Sequence, residues 1–279
     1  MKTKQFKKVL NMVLAYGLLI LIACMTLGPF LWLVGTSLKS SGEAVYGYPP
    51  MMIPDQPTLH NYVRAMDAFP FVRYLMNSVI VSLIIVVCNL VFASLAAYPL
   101  SRFNFKGKHV VFILILSTMI VPFQLLMIPL YELCFKMNLQ NSYIGLVIPH
   151  AITAFSIFLM RQAFIQIPKE LDESAYMDGA STFQILVHIL LPLVRPSLVT
   201  LTIFNFVAAW GDFLWPLIIV NDQNLYTLPL GVNKLNGIFV SDMRVISAGA
   251  ILSILPMIVV FITLQKHFVK GATAGAIKG

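Results

Sequence analysis

The chain has 279 residues, 59% of them hydrophobic and 11% charged, with a formal net charge of +8. A soluble domain carries about 25% charged residues, so this composition excludes a water-soluble globular protein and points to lipid as the solvent. The basic residues stand singly between apolar runs, which sets aside nucleic acid as a partner and fits the charge that orients membrane proteins.

A helix needs about 20 apolar residues to cross a bilayer core, and charge-free runs of that kind recur along the chain. The first, residues 9–38, follows Lys2, Lys4, Lys7 and Lys8. It is far longer than the roughly 7–15-residue core of a signal peptide, so it reads as a retained helix. Residues 39–73 form a long loop with Pro49, Pro50, Pro54 and Pro57. The prolines predict extended, turn-rich chain there, with a short surface helix over 61–69.

Further runs cover residues 74–101, 110–131, 137–160, 196–220 and 245–265, with 196–220 interrupted only by Asp212. The expected fold is all-α, a six-helix membrane bundle in a single domain spanning 1–279, because a helix satisfies its own backbone inside lipid. With the N-terminus inside, most of the 19 Lys and Arg residues fall on the cytoplasmic side, which places both termini there. Cys24, Cys88 and Cys134 are far apart and odd in number, so they read as small packing residues without a disulfide or metal role.

Polar groups within spans are expensive and tend to face the bundle interior or water. Asn77, Ser78, Asn89, Gln124, Asn205 and Asp212 are therefore the candidate pathway residues. Helix–helix hydrogen bonding is the competing role for Ser78, Asn89 and Asn205. For Asp212, flanked by Trp210 and Trp215, it is a place in an interfacial aromatic belt. His150 and His188 read as packing or interfacial residues.

One inner loop, residues 161–195, is more than a connector. Its string IPKELDESAYMDGASTFQILVHILLP carries Glu170, Asp172, Glu173 and Asp178. Pro168 suits a helix start, and acids in the first turns suit the helix dipole. Glu173 and Met177 share one face, Ala175 and Gly179 a second, small-residue face, and Gly179 permits a sharp turn. A second amphipathic stretch, residues 183–191, leads to Pro192. A helix resting on lipid headgroups would carry Lys and Arg on its polar face; this one is acidic, and it reads as a protein-docking knob.

The string E-S-A-Y-M-D-G-A-S, followed by I-L-L-P, resembles the EAA loop of ABC-importer permeases. Glu173, Ala175, Gly179, Ile189, Leu191 and Pro192 match that pattern, with Ser174 in place of the first Ala. The strings TSLK (36–39), PP (49–50), NY (61–62), YPLSRFNFKGK (98–108), MIVP (119–122), IPLY (128–131), WGDFLWPL (210–217) and the terminal GATAGAIKG are similar to the carbohydrate-uptake branch of that family. Gly211 departs from it, since Asn is frequent there.

The resemblance implies a type I importer permease fold in a bacterial inner membrane, with the EAA segment as a cytoplasmic coupling helix. Glu173, Ser174, Ala175, Met177, Asp178, Gly179 and Ala180 would form the contact with a separate ATPase subunit dimer. The other implied partners are a second homologous permease, an extracytoplasmic solute-binding protein on the long outer loop, and the lipid bilayer. No cofactor is expected on this chain: it has no G-x-x-x-x-G-K-[ST] loop, so ATP and magnesium would sit on the partner. An ion-coupled secondary transporter would need intramembrane charges in relay, and only Asp212 qualifies. A membrane enzyme would need a catalytic cluster, which the sequence lacks.

Overall fold

The computed structural model describes residues 2–47, 51–238 and 242–274, with side chains from residue 10 to residue 266 of these. Pro49, Pro50 and the last five residues of the GATAGAIKG string lie outside them. The described chain is helical throughout, without a strand. It divides into two compact units, Met1–Phe71 with Val232–Ile254, and Val72–Gly231 with Leu255–Gly279.

The first unit starts with α1 (Lys2–Ser37). Residues 10–27 of this helix are exposed throughout and almost wholly apolar, the surface of a helix meant for lipid or another subunit. Its last turn is tied down. Asn61, in α2 (His60–Asp67), donates from Nδ2 to the Ser37 and Lys39 carbonyls at 2.9 and 2.8 Å. These carbonyls are among the acceptors a helix C-terminus leaves unpaired. At Gly35 a Cβ would fall 1.8 Å from the Met52 carbonyl oxygen, so only glycine lets the loop lie this close.

The loop that follows is built around two charges. The Glu43 carboxylate accepts from the backbone N–H groups of Ser40 (2.9 Å), Asp55 (2.9 Å) and Gln56 (3.4 Å). These bonds hold its pKa at about 2, from an ordinary 4.5. Arg244 donates to the carbonyls of Ser40, Ser41 and Glu43 and, with Arg64, pairs with Asp242. Burial pushes the Asp242 carboxyl up, but the two arginines outweigh it and leave it below its usual range.

The second unit contains α3 (Phe71–Arg102), α4 (Lys108–Ser117), α5 (Phe123–Lys136), α6 (Tyr143–Val147), α7 (Ala154–Ile165), α8 (Glu170–Met177) and α9 (Thr182–Gln184). A π-helical stretch, Ile185–Leu190, then leads to α10 (Leu191–Leu193), α11 (Arg195–Gly211) and α12 (Leu214–Ile219). The chain continues in α13 (Leu228–Ile238) and α14 (Met243–Ala274).

Leu10–Ser37, Phe71–Arg102 and Met243–Lys266 are single helices long and apolar enough to cross a membrane; six crossings result if each bent pair is one span. Three expected straight runs are in fact broken. The run 110–131 bends by 100° between α4 and α5, where Val121 and Pro122 take extended backbone and Pro122 has no N–H to continue the ladder. The run 137–160 starts in turns, and α6 and α7 meet at 51°, with the second reaching Ile165. Thr153 caps α7, its side chain accepting from the Ser156 N–H. The run 196–220 stops at Gly211 and restarts at Leu214, and an 80° bend at Val194 precedes it.

Candidate functional site

Three chain breaks in the second unit, those before Phe123, after His150 and after Gly211, converge on one cavity. It measures about 460 Å³ and is lined by Ile85, Phe123, Gln124, Pro149, His150, Thr153, Asn205, Ala208, Ala209 and Asp212. Asp212 sits in the gap between α11 and α12. Its Oδ1 accepts from the Trp215 N–H in the first turn of α12 at 3.3 Å, and its Oδ2 lies 3.2 Å from His150 Nε2. His150 in turn follows α6 and lies just before the α6–α7 bend. The pair thus joins two helix interruptions, and Phe123, at the start of α5, packs 4.6 Å from the imidazole.

The six polar span residues separate into two groups. Gln124, Asn205 and Asp212 line the cavity; Asn77, Ser78 and Asn89 do not, being buried and bonded elsewhere. Asn77 donates to the carbonyls of Asn224 and Tyr226 and accepts from the Tyr143 hydroxyl. The Ser78 hydroxyl accepts from the Leu228 N–H. Asn89 donates to the Ile85 and His150 carbonyls and accepts from Thr153 and Ser156. Asn205 serves both ends, since it also donates to Ser156 Oγ at 3.3 Å. The aromatic-belt reading of Asp212 is overturned: Trp210 and Trp215 are 2% and 0% exposed, with Trp215 donating to the Gly145 carbonyl. The sequence offers His150 as a packing or interfacial residue; its place after Pro149 at a helix interruption is the one signal of a further role.

A second feature is the loop around α8. The helix starts at Glu170, two residues after Pro168, so Pro168 precedes the helix rather than opening it. Glu173, Ser174, Met177 and Asp178 are exposed, Met177 at 88%. Ala175 is buried in a cluster with Ala97, Tyr98, Phe164 and Ile185. Gly179 lies beyond the helix end with φ +82°, so it does not share a helical face with Ala175. That left-handed step turns the chain back, and the Ala180 N–H donates to the Ala175 carbonyl at 2.9 Å. Ser181 and Gln184 then form a reciprocal capping box. The amphipathic stretch after it is a π-helix, not the α-helix its pattern suggested.

Asp172 is the residue of this loop whose place its sequence concealed. It is buried, and its Oδ2 meets Arg102 Nε at 2.8 Å. Burial pushes its carboxyl above the ordinary range, against the pull of Arg102. Arg102, at the end of α3, also donates to the Ile167 carbonyl at 3.0 Å.

Residues 89–273 match the family of binding-protein-dependent transport system inner membrane components. The chain belongs to this family. The permease is 34% identical to the arabinooligosaccharides transport system permease protein AraQ of Halalkalibacterium halodurans, over 92% of this chain and 93% of that one. It is 32% identical to the trehalose/maltose transport system permease protein MalG of Thermococcus litoralis, over 93% and 94%. Among solved structures it resembles a chain of a bacterial ABC transporter that imports the acidic polysaccharide alginate. That match has a TM-score of 0.81 and 26% identity over 92% of the permease and 95% of that chain. The permease is therefore a multi-pass inner-membrane subunit of an ABC importer, with the importer-permease fold, and the ion-coupled alternative has no support.

Proposed function

We propose that this permease forms half of the pathway for a sugar or a related polyol or glycoside, driven by ATP hydrolysed on a separate subunit. The observation that carries the reading is α8. One face is fixed to the core through Asp172 and Ala175, while Glu173, Met177 and Asp178 stand free. Such a knob suits a cleft on an ATPase subunit dimer, where Glu173 meets a basic group; a pair of that kind sets register more than affinity. Ser174, Gly179 and Ala180 shape the turn that presents it. ATP and magnesium stay on the ATPase subunits in this reading.

The cavity supports the solute class. Gln124 and Asn205 offer donors and acceptors, His150 and Asp212 add polar atoms 3.2 Å apart, and Phe123 gives an aromatic wall. A polyhydroxylated molecule fits that lining, in keeping with the sugar-transport names of the relatives. A second homologous permease completes the pathway. By the distribution of Lys and Arg, the termini and α8 face the cytoplasm. The loop held around Glu43 then faces an extracytoplasmic solute-binding protein.

The test is a cross-link. Met177→Cys, in a chain whose own cysteines are replaced, should react through a short bifunctional reagent with a cysteine placed in the cleft of the ATPase subunit. Failure to trap that product while the ATPase subunits co-purify with both permeases would reject α8 as the contact.

A further inference from the structure

The Arg102–Asp172 contact stands apart from both the cavity and the exposed knob. The side chains are 5% and 10% exposed, a costly place for charge unless the pair is well matched. Arg102 Nε and Nη2 and Asp172 Oδ1 find no hydrogen-bond partner among the described residues, so the 2.8 Å contact is an ion pair without hydrogen-bond alignment. Two apolar side chains would fill the site with less desolvation. The pair is therefore poorly explained by stability and better explained by the one geometry it imposes.

That geometry links two elements of different roles. Asp172 lies in α8, and Arg102 ends α3. The end of α3 is itself braced: Arg161 Nε donates to the Leu100 carbonyl at 3.0 Å, and Lys108 Nζ to the Phe103 carbonyl at 2.8 Å. Basic groups on the last carbonyls satisfy acceptors the helix cannot pair and oppose its dipole. The same α3 runs unbroken to Ile85 on the cavity wall, about 25 Å from Arg102 at 1.5 Å per residue.

We propose that Arg102 is a positioning residue that locks α8 to α3 through Asp172, so that displacement of α8 is delivered along α3 to the cavity wall at Ile85. The link rests on the reading of α8 as the segment an ATPase subunit grips. Ala175 alone cannot do this work, because a small apolar contact permits the helix to slide or rotate, whereas an ion pair with a second bond to the Ile167 carbonyl fixes both azimuth and register.

The experiment uses the complete transporter in nanodiscs, with the three native cysteines of this chain replaced and Ile85→Cys introduced. Modification of that thiol by a water-soluble maleimide is followed without nucleotide and with ATP plus vanadate. The paired chain should show a nucleotide-dependent change in rate. The neutral double variant Arg102→Gln/Asp172→Asn removes the charges together and so avoids leaving one buried alone. It should lose the nucleotide-dependent change while the ATPase subunit remains bound and hydrolyses ATP. The exchange Arg102→Asp/Asp172→Arg should restore the change. A neutral variant that keeps the full nucleotide response would overturn the link, as would a paired chain with bound, active ATPase and no response at position 85. Absence of the ATPase subunit from the unaltered complex would instead reject the coupling reading itself.

Discussion

Gly179 gives the sharpest separation of backbone from contact effects. Its φ is +82°, and a Cβ there would meet nothing within 4 Å. A side chain therefore costs no steric clash within this chain; the whole penalty is that of the left-handed conformation, about 1–2 kcal/mol for an ordinary L residue. That lowers any equilibrium requiring this turn by roughly 5–30-fold. Asn tolerates the conformation better than Ala, and β-branched Val tolerates it worst. The expected order of ATPase-subunit affinity, measured by titrating that subunit onto the nanodisc-embedded permease, is Gly, then Asn, then Ala, then Val. The membrane-inserted amount should be unchanged across the series. If Asn is as damaging as Val, the glycine is required for close approach of the partner, and the backbone reasoning fails. If Val equals the native chain, the turn has no role in docking.

Glu173→Lys should weaken ATPase-subunit binding without altering thermal unfolding of the permease alone, because the side chain is exposed; a matching loss of melting temperature would contradict that division. Asp212→Ala removes the hydrogen bond to the Trp215 N–H and the neighbour of His150, and should cost about 1 kcal/mol through that bond alone. Asp212→Asn, which can still accept from that N–H, should melt close to the native chain yet reduce solute uptake. Asn89→Leu strands the Thr153 N–H, at about 1–3 kcal/mol, while the Ser156 hydroxyl keeps Thr153 Oγ1; a thermal scan showing no destabilisation would reject Asn89 as the joint of α3 and α7. The Glu43 carboxyl is lowered in the folded loop, from 4.5 to about 2. Its stabilisation of the loop is thus complete above pH 4.5 and fades as the pH falls from 4.5 toward 2. Limited acid proteolysis of residues 39–58 should rise across that window, and Glu43→Gln should remove the dependence.

Much of this molecule follows from local order in the chain. Apolar runs of sufficient length announce helices in lipid wherever they occur, because a helix satisfies its backbone by itself. The acidic segment at 170–178 announces an exposed element for the same local reason, and Gly179 its end. The EAA-like string added the family. What no local pattern contained is which polar side chain meets which. Asp172 and Glu173 are adjacent carboxylates, but the helix turn sends one into Arg102, 70 positions earlier, and the other outward. Asn89 and Asn205 looked alike as span amides, and only packing spent Asn89 on Thr153 and Ser156 while leaving Asn205 on a cavity wall. The bends that bring His150 to Asp212 arise where prolines, caps and tertiary partners act together. Helix formation is decided within a few neighbours along the chain; the charge pairs and the cavity depend on contacts across tens of residues, which exist only once the helices have packed.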